Sequence, residues 1–402
     1  MPDLKQELLN ELHLKLKLDV EGIDYEPEVI CDFAGYFGIL KRLNLPSFDP
    51  SLLDRLQLPI GITLPYGTDV GAIPVKGSDY SIAKEDGALL LKERGRLIAE
   101  VALTPQPEWI DKFTSDGTPM YEVGFSSSGN SQDKSIIFAY STECSVKEKN
   151  ETCLFCCLNG NSVLKQGASL WRNPLQIAET SKAAYDEGYS HLTITGGFVP
   201  ERRELDYYLD TAEKIQEAIG RKDFNGSACI GAPVDLDVIE KYKEAGFSSI
   251  AFNTEVWTKP WFEVICPGKV TECGGYDNWL NAIKRGVEVF GRGNVRSIFV
   301  AGLQPKELLL EGIEQLSEWG VVVIASPWKP YQGSPLEGHR SPTVDWHWDI
   351  QQKTAAIQRK NGLTYRDHFN SSPGRTVTME LIALEEGRLY ARQKAAENEE
   401  IA

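Results

Sequence analysis

Five glycines, at positions 188, 220, 246, 291 and 320, each close a stretch of helical periodicity and precede a short β-prone run. The helical stretches are Pro174–Gly188, Glu204–Gly220, Asp235–Gly246, Tyr276–Phe290 and Lys306–Gly320. The β-prone runs that follow them are His191–Thr195, Gly226–Ile230, Ser249–Phe252, Val295–Val300 and Val321–Ala325. Glycine suits a helix end because the left-handed residue after the last turn carries no Cβ penalty there. Pro174 stands near the start of the first helix and Asp235 caps the third, both favoured at helix N-termini. The run Ile136–Tyr140 adds a strand ahead of the series, making six. Such alternation predicts right-handed crossovers and a parallel sheet. Six units fall short of a closed eight-unit barrel. The expected fold is therefore α/β, a partial (β/α)6 TIM-type barrel, with a doubly wound open sheet as the alternative. In both, the loops after the strands' C-terminal ends build the active site.

The 402 residues leave room for extensions on both sides of this core. Residues 1–130 read as an N-terminal α+β extension, rich in Pro and Gly, with strands expected at Gly87–Leu91 and Leu97–Leu103. The polar loop Ser126–Asp133 marks the boundary, the barrel runs over 131–345, and 346–402 forms a C-terminal helical extension. One helix is expected from about 342, and a second over Thr378–Glu397. Hydrophobic residues make up 42% and charged residues 25%, and no apolar run reaches the length of a membrane-spanning helix. The N-terminal segment alternates charge with Leu and lacks a signal-peptide apolar core, so a cytoplasmic location is expected. A formal charge of −16 argues against a polyanionic partner, so neither nucleic acid nor membrane is expected as one.

The loop after the first strand holds Cys144, Cys153, Cys156 and Cys157. In a reducing compartment such crowding signals metal or redox chemistry rather than disulfides. Four readings are open. A structural zinc site needs four tetrahedral ligands, and Cys157, adjacent to Cys156, points away from it. A thioredoxin-like pair at Cys153 and Cys156 leaves Cys144 unexplained. Free buried thiols are the third reading. The fourth is a [4Fe–4S] cluster on three thiolates, which leaves one iron open to a small molecule. It uses all three spaced cysteines and is favoured. Cys31, Cys229, Cys266 and Cys273 read as buried or free thiols, and two ligands at 266 and 273 are too few to argue a second cluster. His191 and His347 read as structural.

Phe155, just before Cys156, brings in a resemblance. The segment resembles the radical S-adenosylmethionine (SAM) superfamily motif, Cys-x3-Cys-x2-Cys with an aromatic residue before the last Cys. Cys144, Cys153 and Cys156 are the matching ligands, with eight intervening residues in place of three. Thr195-Gly196-Gly197-Phe198 resembles the superfamily's Gly-Gly-Glu motif, whose backbone receives the methionine ammonium, with Phe198 in the acidic place. Read alone, those glycines are a tight turn or a close ligand approach. Phe252–Trp257 and Ile265–Lys269 resemble the biotin synthase-like branch, especially homologues of HydE and HmdB, as do Phe290–Ser297 and Phe299–Leu303. The resemblance implies that Glu255 meets the ribose hydroxyls or amino group of SAM and Lys269 its carboxylate. Read alone, a surface or barrel-rim salt bridge is the bland alternative for both, with more weight for Lys269 than for Glu255. The loop Ser326–Pro335, including Trp328, is a candidate wall for adenine or substrate.

The resemblance covers roughly 135–345. It implies a [4Fe–4S] cluster and SAM as cofactors, with flavodoxin or ferredoxin as electron donor. It further implies SAM cleavage to a 5′-deoxyadenosyl radical that takes hydrogen from a small-molecule substrate, in oxygen-sensitive cofactor or natural-product biosynthesis. Methylation, sulfur insertion, carbon–carbon cleavage and rearrangement all remain open as outcomes. A non-catalytic zinc or Fe–S scaffold or maturation chaperone on the same barrel is the alternative.

Overall fold

A computed structural model of the chain describes residues 4–26, 29, 61–71, 73, 75–126, 133–141, 144–156, 171–331, 333–371, 374 and 376–389. Cys31, Cys157 and most of the Ser126–Asp133 boundary loop lie outside them. The chain opens with α1 (Leu4–Glu21), which buries Leu8, Leu12 and Leu16 at four-residue spacing along one face. Strands β1 (Asp24–Tyr25), β2 (Gly61–Thr63), β3 (Asp69–Gly71), β4 (Tyr80–Glu85), β5 (Ala88–Glu93) and β6 (Arg96–Leu103) form one sheet in the order β1-β4-β5-β6-β2-β3. Its hairpin turns are Asp86-Gly87 and Arg94-Gly95, each with two positive φ values, the geometry that matches the twist of adjoining strands. The two strands expected here are β5 and the greater part of β6.

The second sheet begins with β7 (Gly124–Ser126), antiparallel to β8 (Lys134–Ser141). The chain then runs through α2 (Pro174–Asp186), β9 (Tyr189–Gly196), α3 (Glu201–Ile219), β10 (Gly226–Cys229), α4 (Val238–Glu244) and β11 (Phe247–Ala251). It continues with α5 (Lys259–Ile265), α6 (Pro267–Glu272), α7 (Gly275–Phe290), β12 (Val295–Ala301), α8 (Lys306–Glu318) and β13 (Val322–Pro327). Strands β8 to β13 pair in parallel and strictly in sequence order, so there is no reversal point of the doubly wound kind. β13 and β7 stand at opposite ends of the sheet and do not pair, which leaves the barrel open. This is the expected partial (β/α)6 barrel.

Local chemistry accounts for most element ends. Asn173 caps α2 in a reciprocal capping box with Gln176, and Gly220 closes α3 at φ 72°. The third barrel helix starts later than its sequence implies. Asp235 accepts from the Asp237 amide at 3.1 Å in a preceding turn, and the helix proper begins at Val238.

Beyond the barrel lie α9 (Val344–Lys360), α10 (Tyr365–Ser371) and α11 (Val377–Glu385). The last of these was expected to reach Glu397; it ends at Glu385, and residues 390–402 lie outside the described set. The unforeseen α10 plugs the barrel. Its Asn370 carbonyl accepts from the buried Ser249 hydroxyl at 2.8 Å, and Phe369 meets the His191 ring edge-on. With the strands' N-terminal side closed in this way, the accessible mouth lies at their C-terminal ends. Helix α1 returns to share an apolar cluster with the C-terminal helices, joining Leu8, Leu12 and Leu16 to Ala355, Val377 and Ile382. Among the described residues, no helix is long and apolar enough to cross a membrane.

Candidate active site

The cysteine loop leaves β8 and is stitched to three other loops at the barrel mouth. Cys144 precedes a one-turn helix, Ser145–Glu148, whose Ser145 amide donates to the Phe198 carbonyl at 2.8 Å. Leu154 donates to Ile265 O at 2.9 Å and accepts from the Leu336 amide at 3.2 Å. Gly268 donates to Glu151 O at 2.9 Å, and a Cβ there would lie 2.5 Å from Val146 Cβ, so only glycine fits so close. Segments after β9, β11 and β13 therefore hold the loop in place.

One cavity of about 270 Å³ opens among these loops. Cys144, Cys153, Phe155, Cys156, Thr195, Gly196, Gly197, Glu255 and Lys269 all line it, so the candidate cluster and SAM residues come to one place. Trp328 does not line it, although it is buried nearby in sequence after β13. Among the described residues, no three His, Cys, Asp or Glu side chains converge as they would around a single ion. A cluster differs from an ion in spreading its thiolates over several irons. The donor set, three soft thiols on one cavity wall, fits that group.

The thiols are electrostatically unequal. Cys153 is hydrogen-bonded to Cys266, which lowers its pKa, while burial pushes Cys266 well above the ordinary thiol value. Burial also raises Cys144. Cys266 thus enters as a neighbour of a candidate ligand.

Glu255 and Lys269 meet each other directly, at 2.8 Å. Lys269 also donates to Asn253 O at 2.6 Å and lies over the Trp279 ring, 4.3 Å from its centre. Burial disfavours the ammonium, but Glu255 together with the Cys266 and Cys153 thiols more than offsets this and holds its pKa above the ordinary lysine range. Glu255 takes φ +67° and Thr258 φ +71°, left-handed values that are costly for residues with a Cβ. Such strain is held where surrounding structure over-determines the backbone, here by Glu255 N to Ile298 O and Val300 N to Glu255 O, both 2.8 Å.

The paired glycines serve the protein's own packing as much as a ligand. A Cβ on Gly196 would lie 2.5 Å from the Tyr140 ring. The Gly197 amide donates to Ser141 O at 2.9 Å, and its carbonyl accepts from Tyr140 OH at 3.3 Å with a second lone pair to spare.

Glu204, Cys229, Asn253, Cys273 and Trp279 also line the cavity and were not anticipated as site residues. Asn253 Oδ1 and Trp279 Nε1 are buried and have no hydrogen-bond partner among the described residues. Glu204 carried a readable signal. It lies on the stripe Glu204, Leu205, Tyr208, Thr211, Ala212, Ile215 that α3 buries, an odd position for a carboxylate.

No family model matches the chain. It is 28% identical over 292 residues to the bacteriochlorophyllide c C-7(1)-hydroxylase of Chlorobaculum limnaeum, spanning 69% of this chain and 70% of that one. The chain resembles the radical SAM superfamily. Two solved structures overlap it in part. The FeFe-hydrogenase maturase HydG from Carboxydothermus hydrogenoformans is 18% identical with a TM-score of 0.44, over 57% of this chain and about half, 53%, of HydG. Methylornithine synthase (PylB) is 16% identical with a TM-score of 0.42, over 57% of this chain and 69% of PylB. The relative from Chlorobaculum limnaeum is named as an enzyme, a hydroxylase.

Proposed function

We propose that the chain is a radical SAM enzyme that acts on a carbon–hydrogen bond of a small-molecule substrate. Cys144, Cys153 and Cys156 hold a [4Fe–4S] cluster, and SAM sits in the cavity they share with Phe155, Thr195–Gly197, Glu255 and Lys269. The observation that carries this reading is the convergence of three cysteines and a buried Glu–Lys pair on one cavity at the barrel mouth. When bound, the cluster and SAM together supply a 5′-deoxyadenosyl radical able to abstract hydrogen.

The chain's own residues position and enclose. Lys269 stays charged, and with two of its three donors used it keeps one for a carboxylate. Glu255 fixes the Lys269 ammonium and presents its remaining lone pairs to hydroxyl or amino hydrogens. Asn253 Oδ1, buried without a partner among the described residues, accepts one more such hydrogen. The stitched loops exclude water around the reacting groups. The relative's named substrate is a bacteriochlorophyllide, which favours C–H functionalisation in pigment or cofactor biosynthesis as the reaction class here. Flavodoxin or ferredoxin supplies the electron, and crowded cysteines with this chemistry suit a reducing, cytoplasmic setting.

Anaerobic reconstitution tests the reading. About four iron and four sulfide per chain are expected, with 5′-deoxyadenosine formed from SAM and dithionite. Cys144→Ala, Cys153→Ala and Cys156→Ala should each abolish cluster absorbance and SAM cleavage. One zinc per chain without cleavage would instead identify a scaffold. Loss in Cys157→Ala but not in Cys156→Ala would overturn the ligand assignment.

A further inference from the structure

We propose that Glu204 is the anionic seat for a cationic group of SAM, and that it gives up a proton as the ligand enters. The inference rests on the radical SAM reading of the cavity. Glu204 is 5% exposed and lines the same cavity as Cys144, Gly197 and Gly231. Its carboxyl accepts from the Gly231 amide at 3.2 Å and from Tyr140 OH at 3.3 Å, a single phenol proton shared with the Gly197 carbonyl. Among the described residues no Lys, Arg or His forms a salt bridge with it, and two neutral donors leave lone pairs on both oxygens.

A buried carboxylate with neutral donors alone is under-compensated. Burial raises its pKa to about 8, Glu201 on the same helix adds to the rise, and the Gly231 and Tyr140 donors oppose it. The other titratable groups facing it are Tyr208 on α3, Tyr140 on β8, Tyr242 on α4 and Cys273 after α6. Burial pushes all three tyrosines up and Cys273 to about 12, so none supplies charge near neutrality. Among the described residues, the cation that lines this cavity, Lys269, is already committed to Glu255. With no described cation left for Glu204, the sulfonium or the ammonium of SAM supplies the positive charge.

The test measures binding of SAM and of S-adenosylhomocysteine to the reconstituted holoprotein and to Glu204→Gln, from about pH 6.5 to about pH 9.5. At high pH the variant should bind SAM at least ~10-fold more weakly. The gap should shrink by up to about ten-fold per unit below pH 8, because wild type must then release the proton to bind. If S-adenosylhomocysteine keeps its affinity for the variant, the sulfonium is the seated group; if it weakens in parallel, the ammonium is. A gap below about two-fold at every pH, or one that does not vary with pH, overturns the proposal. Tyr140→Phe is the second variant: removing a donor should move the pH midpoint of SAM affinity upward, and an unmoved midpoint counts against the seat. Absence of SAM binding to wild type overturns the functional reading and the proposal with it, whereas intact wild-type binding with an unaffected variant sinks the proposal alone.

Discussion

Glu204 makes stability depend on pH in a direction opposite to that of an ordinary surface carboxylate. Its pKa rises from 4.5 to about 8 on folding, chiefly through burial. Below 4.5 both states hold the proton and stability is full. As pH climbs toward 8 the unfolded chain releases a proton the folded chain retains, so stability falls by up to about 1.4 kcal/mol per unit. The buried His191, His347 and His368, whose pKa values burial lowers, act in the opposite sense, so the Glu204 contribution is read as a difference. The urea midpoint of the apo-protein should fall relative to that of Glu204→Gln between about pH 5 and about pH 8. A difference that stays constant over this window would show that the carboxyl is ionised when folded. Gly196→Ala tests packing at the same site. Its new Cβ would sit 2.5 Å from the Tyr140 ring, and a loss of about 1–3 kcal/mol in denaturant unfolding is expected. At this scale the sequence revealed the cysteines through spacing, because their ligand chemistry is local. It could not show that Glu255 and Lys269, fourteen positions apart, spend their charges on each other at 2.8 Å.

Elements were the most legible scale. Helix and strand periods, a Pro near a helix start and a Gly after its end are all set within a few residues. Strands β8 to β13 and helices α2, α3, α7 and α8 therefore fall close to their expected bounds, whereas the short α5 and α6 were not foreseen. The exceptions have local causes outside the period. Asp235 forms a turn of its own ahead of α4, and α10 carries too short and polar a pattern, YRDHFNS, to announce a plug. The α2 capping box gives a test confined to one element. Asn173→Ala removes the side chain that accepts from the Gln176 amide and should cost about 1 kcal/mol in thermal or chemical unfolding. Iron content should be unchanged, since the cap contributes no residue to the cavity. A loss of iron would mean that α2 sets the cysteine loop.

Across the whole molecule, the two ends of the chain meet. Leu12 of α1 is fully buried in the cluster it shares with α9 and α11. Leu12→Ala should cost about 2–5 kcal/mol and speed hydrogen exchange in α9 and α11, far away in sequence, while β9 to β12 keep their protection. Uniform loss of protection would show that barrel and helical cluster unfold as one unit. The sequence by itself determined the alternation of strands and helices, the parallel barrel and the crowding of thiols after its first strand. Each of these is written in short-range periods, turn residues and spacings. Only the tertiary structure decided that Glu204, Cys229, Asn253, Cys273 and Trp279 reach the cavity of Cys144, Cys153 and Cys156. They come from separate loops and helices, and what brings them together is the register and curl of the parallel strands, which no local pattern along the chain encodes.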